Sequence, residues 1–175
     1  MELTKEYIKK VSKLKNEPKW MLNFRLKSFD KFKELDNELH HGITRYGHSY
    51  RVAKATYKLS KTLKMNYIDA TRAALLHDFY LDSDFSIEKS TKILSIHPNV
   101  ALINAKKYFE INDMQANIIK SHMFPLNGVR PKYKESWLVS LIDKSVAVYE
   151  LYRFKFKMVI NIWAIFLFNV ITLNK

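Results

Sequence analysis

Ala73-Ala74-Leu75-Leu76-His77-Asp78 is an apolar run that closes on two adjacent side chains able to bind a metal. Ala70, Ala73, Ala74 and His77 share one face at helical spacing, so the imidazole points inward with the alanines. Asn66 is placed to cap this helix, with Asp69 in its first turn. An imidazole and a carboxylate at the end of a buried helix are costly to desolvate without a counter-charge, and a divalent cation supplies one.

Working outward, the same placement recurs. All six histidines fall between His40 and His122. On the N-terminal side, Gly42 and Gly47 bracket a break, after which His48, Val52, Ala55, Leu59 and Leu63 form a core-facing stripe. On the C-terminal side, Asp82 to Ser95 reads as a polar loop with a short helical piece. Pro98 then starts a helix just after His97. Asn112 can cap the next helix, in which Met114, Ile118 and His122 follow at four-residue steps until Pro125 stops it. A last amphipathic helix runs from Lys134 to about Arg153, with Trp137, Leu141, Val148 and Tyr152 among its apolar residues. In it, Asp143 sits in register with Val139 and Val146. Near the N-terminus, Lys5 to Lys15 reads as one helix. A second starts at Pro18 and carries Trp20, Met21, Phe24, Phe29 and Phe32 to about Leu39. No alternating strand pattern and no internal repeat is visible, so the expected class is an all-α helical bundle.

Composition narrows the chemistry. With 175 residues, 47% of them hydrophobic, and only 3 Gly and 4 Pro, the chain can bury one real core. There is no cysteine, so disulfides are excluded and any metal must be held by nitrogen and oxygen. Met1 to Lys19 has no apolar signal region, which leaves a cytoplasmic location as the expectation. The net charge of +13 favours anionic ligands without choosing among them. Lysine is spread along most of the helices, so a solvated surface explains most of it and nucleic acid is not the expected partner. A Gly-rich phosphate loop, a Gly-x-Ser-x-Gly elbow and a His-Glu-x-x-His pair are all absent.

A single inward histidine is ordinarily a hydrogen-bonded core residue, and a single Asp143 would ordinarily pair with Lys or Arg. His48, His77, Asp78, His97, His122 and Asp143 together are hard to satisfy without a shared cation. Their order resembles the HD-domain phosphohydrolase superfamily in its two-metal form. The flanking strings Arg45-Tyr46-Gly47-His48-Ser49-Tyr50-Arg51-Val52-Ala53, Ala73 to Asp78, His122-Met123-Phe124-Pro125-Leu126 and Asp143-Lys144 carry the resemblance. It covers roughly His40 to Glu150.

The resemblance implies that His48, His77, Asp78 and Asp143 hold a first divalent ion. Asp78 would bridge to a second, which His97 and His122 complete. Mn, Fe, Ni, Co and Zn all suit such ligands. The implied activity is hydrolysis of a phosphate ester of a nucleotide or small phosphorylated metabolite by metal-activated water, with Asp78, Arg45 and Lys144 in catalytic roles. By their positions, Arg45, three residues before His48, and Lys144, next to Asp143, would hold phosphate oxygens, the alternative for both being an ordinary surface or ion-pair role. His40 and His41 read as loop residues at the mouth of the site, either contacting substrate or ligands or lying on a solvated surface. Two rivals share the ligands: an HD-fold di-iron oxygenase, and a non-catalytic nucleotide- or metal-binding regulatory module.

From Phe154 the chain changes character. Met158 to Leu173 is almost wholly apolar, interrupted by Asn161 and Asn169 and preceded by Arg153, Lys155 and Lys157. The expected organisation is a helical domain over 1–153 and an apolar C-terminal helix over 154–175. Three roles compete for that helix: a final core helix, a membrane anchor or interfacial helix, and a homo-dimerisation helix.

Overall fold

A computed structural model of the chain describes residues 35, 39–40, 43–85 and 92–173. The expected helices upstream of Leu35, the residues His41 and Gly42, and the stretch 86–91 lie outside the described residues. Within them the fold is helical. A two-residue antiparallel pair, β1 (Leu39–His40) with β2 (Ile43–Thr44), leads directly into α1 (Arg45–Thr62). α2 (Tyr67–Leu76), a 3-10 turn (Asp82–Asp84), α3 (Ile93–Tyr108), α4 (Asp113–Ser121) and α5 (Lys134–Leu173) follow. Leu39 thus ends in a β pair, not in a helix as its apolar neighbours suggested.

The start of α1 differs from the expected break at Gly47. Thr44 is the N-cap, and its Oγ1 accepts the Gly47 amide at 3.1 Å. A capped amide in the first turn offsets the low helix propensity of glycine, so the helix begins at Arg45. A Cβ at Gly47 would sit 3.3 Å from that hydroxyl, tight enough to disturb the cap.

The stripe expected along α1 holds only in part. His48 and Val52 are buried, but Leu59 and Leu63 are exposed. Burial instead follows Ser49, Ala53, Thr56 and Ser60, small residues that let the helix approach closely. α1 packs most extensively on α2, whose inner face is the alanine row Ala70, Ala73 and Ala74. Small against small brings the two backbones together, and with them the histidines at their ends.

α3 starts at Ile93, one turn earlier than Pro98 predicts, and carries His97 and Pro98 inside it, both buried. A proline in the second turn costs one ladder hydrogen bond, which tertiary burial overrides here. α4 begins at the expected cap. Asn112 Oδ1 accepts the Gln115 amide at 2.9 Å and Gln115 Oε1 accepts the Asn112 amide at 3.2 Å, a reciprocal box. Gln115 Nε2 also donates to Asp69 Oδ1 at 2.6 Å, tying α4 to the first turn of α2.

α5 is a single helix of 40 residues. Its first half buries Ser136, Val139, Ile142, Asp143 and Glu150, while Trp137, Leu141, Val148 and Tyr152 face outward. From Leu151 onward every described side chain is exposed, including Phe156, Ile160 and Trp163. None of the side chains described in this tail joins the core. No helix among them is long and apolar enough to cross a membrane.

Candidate metal centre

His77 and His122 occupy equivalent positions, the C-caps of α2 and α4. At a helix C-terminus the last carbonyls lack amide partners. Each histidine fills one: His77 Nδ1 donates to the Ala74 carbonyl at 2.7 Å, and His122 Nδ1 to the Ile119 carbonyl at 2.8 Å. His97 does the same within α3, donating from Nδ1 to the Ile93 carbonyl at 2.9 Å. His48, in the second turn of α1, donates from Nδ1 to Glu150 Oε2 at 2.8 Å.

With all four Nδ1 hydrogens committed outward, the four Nε2 atoms point at one another and at two carboxylates. His48 Nε2 lies 2.9 Å and His77 Nε2 3.3 Å from Asp143 Oδ1. His77 Nε2 is also 3.5 Å from Asp78 Oδ2. Asp78 Oδ1 is 3.2 Å from His97 Nε2 and 3.5 Å from His122 Nε2. His97 Nε2 and His122 Nε2 face each other at 2.9 Å. All six residues sequence reading picked out as ligands thus converge and are buried. Asp143, the ligand most distant in sequence from His48, is in contact with it.

Such an arrangement asks for positive charge. His77 Nε2 and Asp78 Oδ1 are buried without a hydrogen-bond partner. Leaving a buried polar atom unpaired costs roughly 1–3 kcal/mol. Protons could fill part of the gap. Burial lowers the affinity of His48 for a proton, but its bonds to Asp143 and Glu150 overrule this and push its pKa up to about 10. His77 is raised as well, against its burial, by Asp78 and Asp143. Burial alone would raise the two aspartates; His77 beside Asp78, and His48 and His77 beside Asp143, hold both well below the usual carboxylate range. His122, by contrast, is lowered by burial and favours the neutral ring a metal takes. Three overlapping sets can each hold an ion: His48, His77 and Asp78; His77, His122 and Asp143; and Asp78, His97 and His122. Within each set the ligand atoms lie within 4.8 Å of one another. The donor set is nitrogen and carboxylate oxygen, as divalent transition metals require.

A family model described as HD domain matches residues 45–147, more than half of the chain. The chain belongs to the HD-domain family. The HD domain is an all-α fold within a superfamily of metal-dependent hydrolases, and the buried cluster is compatible with its metal site. No curated protein and no solved structure matches the chain.

The two cations expected to hold phosphate oxygens lie beside the HD cluster, each with partners of its own. Arg45 is buried on its Tyr80 side: Nη1 donates to the Tyr80 carbonyl at 3.1 Å, and the guanidinium lies 4.0 Å from the Tyr80 ring centre. Nη2 pairs with Asp82 Oδ1 at 2.9 Å. Lys144 Nζ donates to the His122 carbonyl at 2.8 Å and to Ser140 Oγ at 2.7 Å, which places it behind His122. His40 lies in β1 and His41 outside the described residues.

One residue of the HD centre escaped sequence reading. Glu150 is buried, with Arg51 Nε donating to its Oε1 at 2.6 Å. A signal existed: it falls seven residues after Asp143, on the stripe of Val139 and Val146, where a carboxylate is out of place.

Proposed function

We propose that this HD-domain protein is a divalent-metal-dependent phosphohydrolase that cleaves a phosphate ester of a nucleotide or small phosphorylated metabolite. The observation carrying this reading is the inward convergence of four Nε2 atoms on two buried carboxylates. His48, His77, Asp78 and Asp143 would hold one ion. Asp78 would be shared with a second, held by His97 and His122. When bound, such ions supply charge to phosphoryl oxygens and acidify water for in-line attack.

The chain's own residues do the rest. Four outward Nδ1 hydrogens fix the rings, so no rotamer search precedes ion binding. Asp78 presents one oxygen toward His77 and the other toward His97 and His122, which suits it to bridging. Arg45 feels the charge of Asp78 and is held by an aspartate whose side chain is 65% exposed. An anionic substrate can compete with Asp82 for that guanidinium.

Purified protein should contain a divalent metal by elemental analysis and release phosphate from members of a phosphate-ester panel. Asp78→Ala should abolish both while leaving the far-UV circular dichroism spectrum intact. A metal-loaded protein inert on the whole panel, with metal content unchanged in Asp78→Ala, defeats the reading. Oxygen uptake by iron-loaded protein without phosphate release would replace it with the di-iron oxygenase.

A further inference from the structure

His48 is held at both ring nitrogens by one helix. Asp143 faces its Nε2 and Glu150 takes its Nδ1 hydrogen, and these carboxylates lie seven residues apart on α5. The other three rings donate to backbone carbonyls three or four residues earlier in their own helices. His48 alone of the four donates to a carboxylate, one that is 102 positions away in sequence.

From this asymmetry we propose that Glu150 is a positioning residue of the centre. Its carboxylate orients the His48 ring and strengthens Nε2 as a donor toward a bound cation, while Arg51 fixes the carboxylate. The proposal rests on the reading of His48 as a metal ligand given above. A carboxylate accepting from the far nitrogen of a ligating imidazole raises the basicity of the near one, and a carbonyl does so less. The Arg51 pair adds little as a helix-to-helix staple. The Arg51 side chain is 41% exposed, and an ion pair with so open a partner contributes little to stability. Burying Glu150 nonetheless removes a carboxylate from water, a cost its bond to His48 helps offset.

Two measurements on the 175-residue chain test it. Co2+ titration followed by visible absorption reads ion affinity, and the downfield proton–nitrogen resonance of His48 Nδ1–H in the Zn2+-loaded protein reads the hydrogen bond. Glu150→Gln should weaken Co2+ binding roughly 10- to 100-fold and shift that resonance. Arg51→Gln should produce a smaller fall. Glu110→Gln, an exposed control, should change neither. Wild-type affinity and an unmoved resonance in folded Glu150→Gln overturn the proposal. If Glu150→Gln does not fold, wild-type affinity in Arg51→Gln overturns it instead. Glu150-dependent Co2+ binding in a protein that hydrolyses no phosphate ester supports the proposal while defeating the hydrolase reading. A wild-type chain that takes up no Co2+ overturns both.

Discussion

A C-capping histidine does two jobs with one ring. At His77 and His122 the Nδ1 hydrogen satisfies a helix-end carbonyl that would otherwise lack a partner, and the same bond presents Nε2 to the centre. The His122 carbonyl is in turn held from outside by Ser140 Oγ at 2.6 Å and by Lys144 Nζ. This gives Lys144 a role that can be separated from phosphate binding. Lys144→Met should lower stability in urea by about 1–2 kcal/mol, because a charge-assisted bond into the His122 backbone is lost. A rise in KM for a phosphate ester at unchanged stability would instead restore the phosphate-holding role. The residues legible in sequence were those whose type and helical register agreed: an inward histidine or aspartate on an apolar stripe. Lys144 and Arg45 were read from their neighbours in sequence, which cannot tell which way a long side chain turns.

Among the elements, the capping box of α4 is the clearest case of local chemistry setting a boundary. Asn112→Ala should cost about 1 kcal/mol, measured as a shift in the urea midpoint, with metal uptake unchanged. Gln115→Ala should cost more, since it also strips Asp69 of its partner from α4. Caps of this kind made the starts of α2 and α4 readable from Asn66 and Asn112. The start of α1 lies earlier than the break at Gly47 suggests, because in the fold the Thr44 hydroxyl takes the glycine amide. The start of α3 was misplaced because Pro98 is common at a first turn but is held here by burial one turn further in. The face of α1 could not be read from leucine positions alone. Which side is buried was decided by small polar residues meeting the alanines of α2, a pairing that is not local in sequence.

On the scale of the whole molecule, the centre behaves as a store of charge that folding must compensate. In metal-free protein, His48 is more basic folded than unfolded. Its contribution to stability is therefore fully present below its unfolded pKa near 6.5 and is lost as pH rises toward about 10. Asp143 and Glu150 are more acidic folded than unfolded, so their contribution is present above about pH 4 and is lost as pH falls further. The metal-free melting temperature should thus decline from pH 6.5 toward 10, and metal loading should flatten that decline because a ligating imidazole is held neutral, its second proton displaced by the ion. A metal-free melting temperature that stays level over this range would refute the charge arrangement.

α5 joins this centre to the exposed tail without a break. From Glu150 to Leu173 the rod extends roughly 35 Å at the helical rise. Whatever grips its far end holds a lever whose short arm rests on the imidazole of His48. If tilting the lever changes the hold on an ion, reciprocity requires a seated ion to resist the tilt by the same free energy.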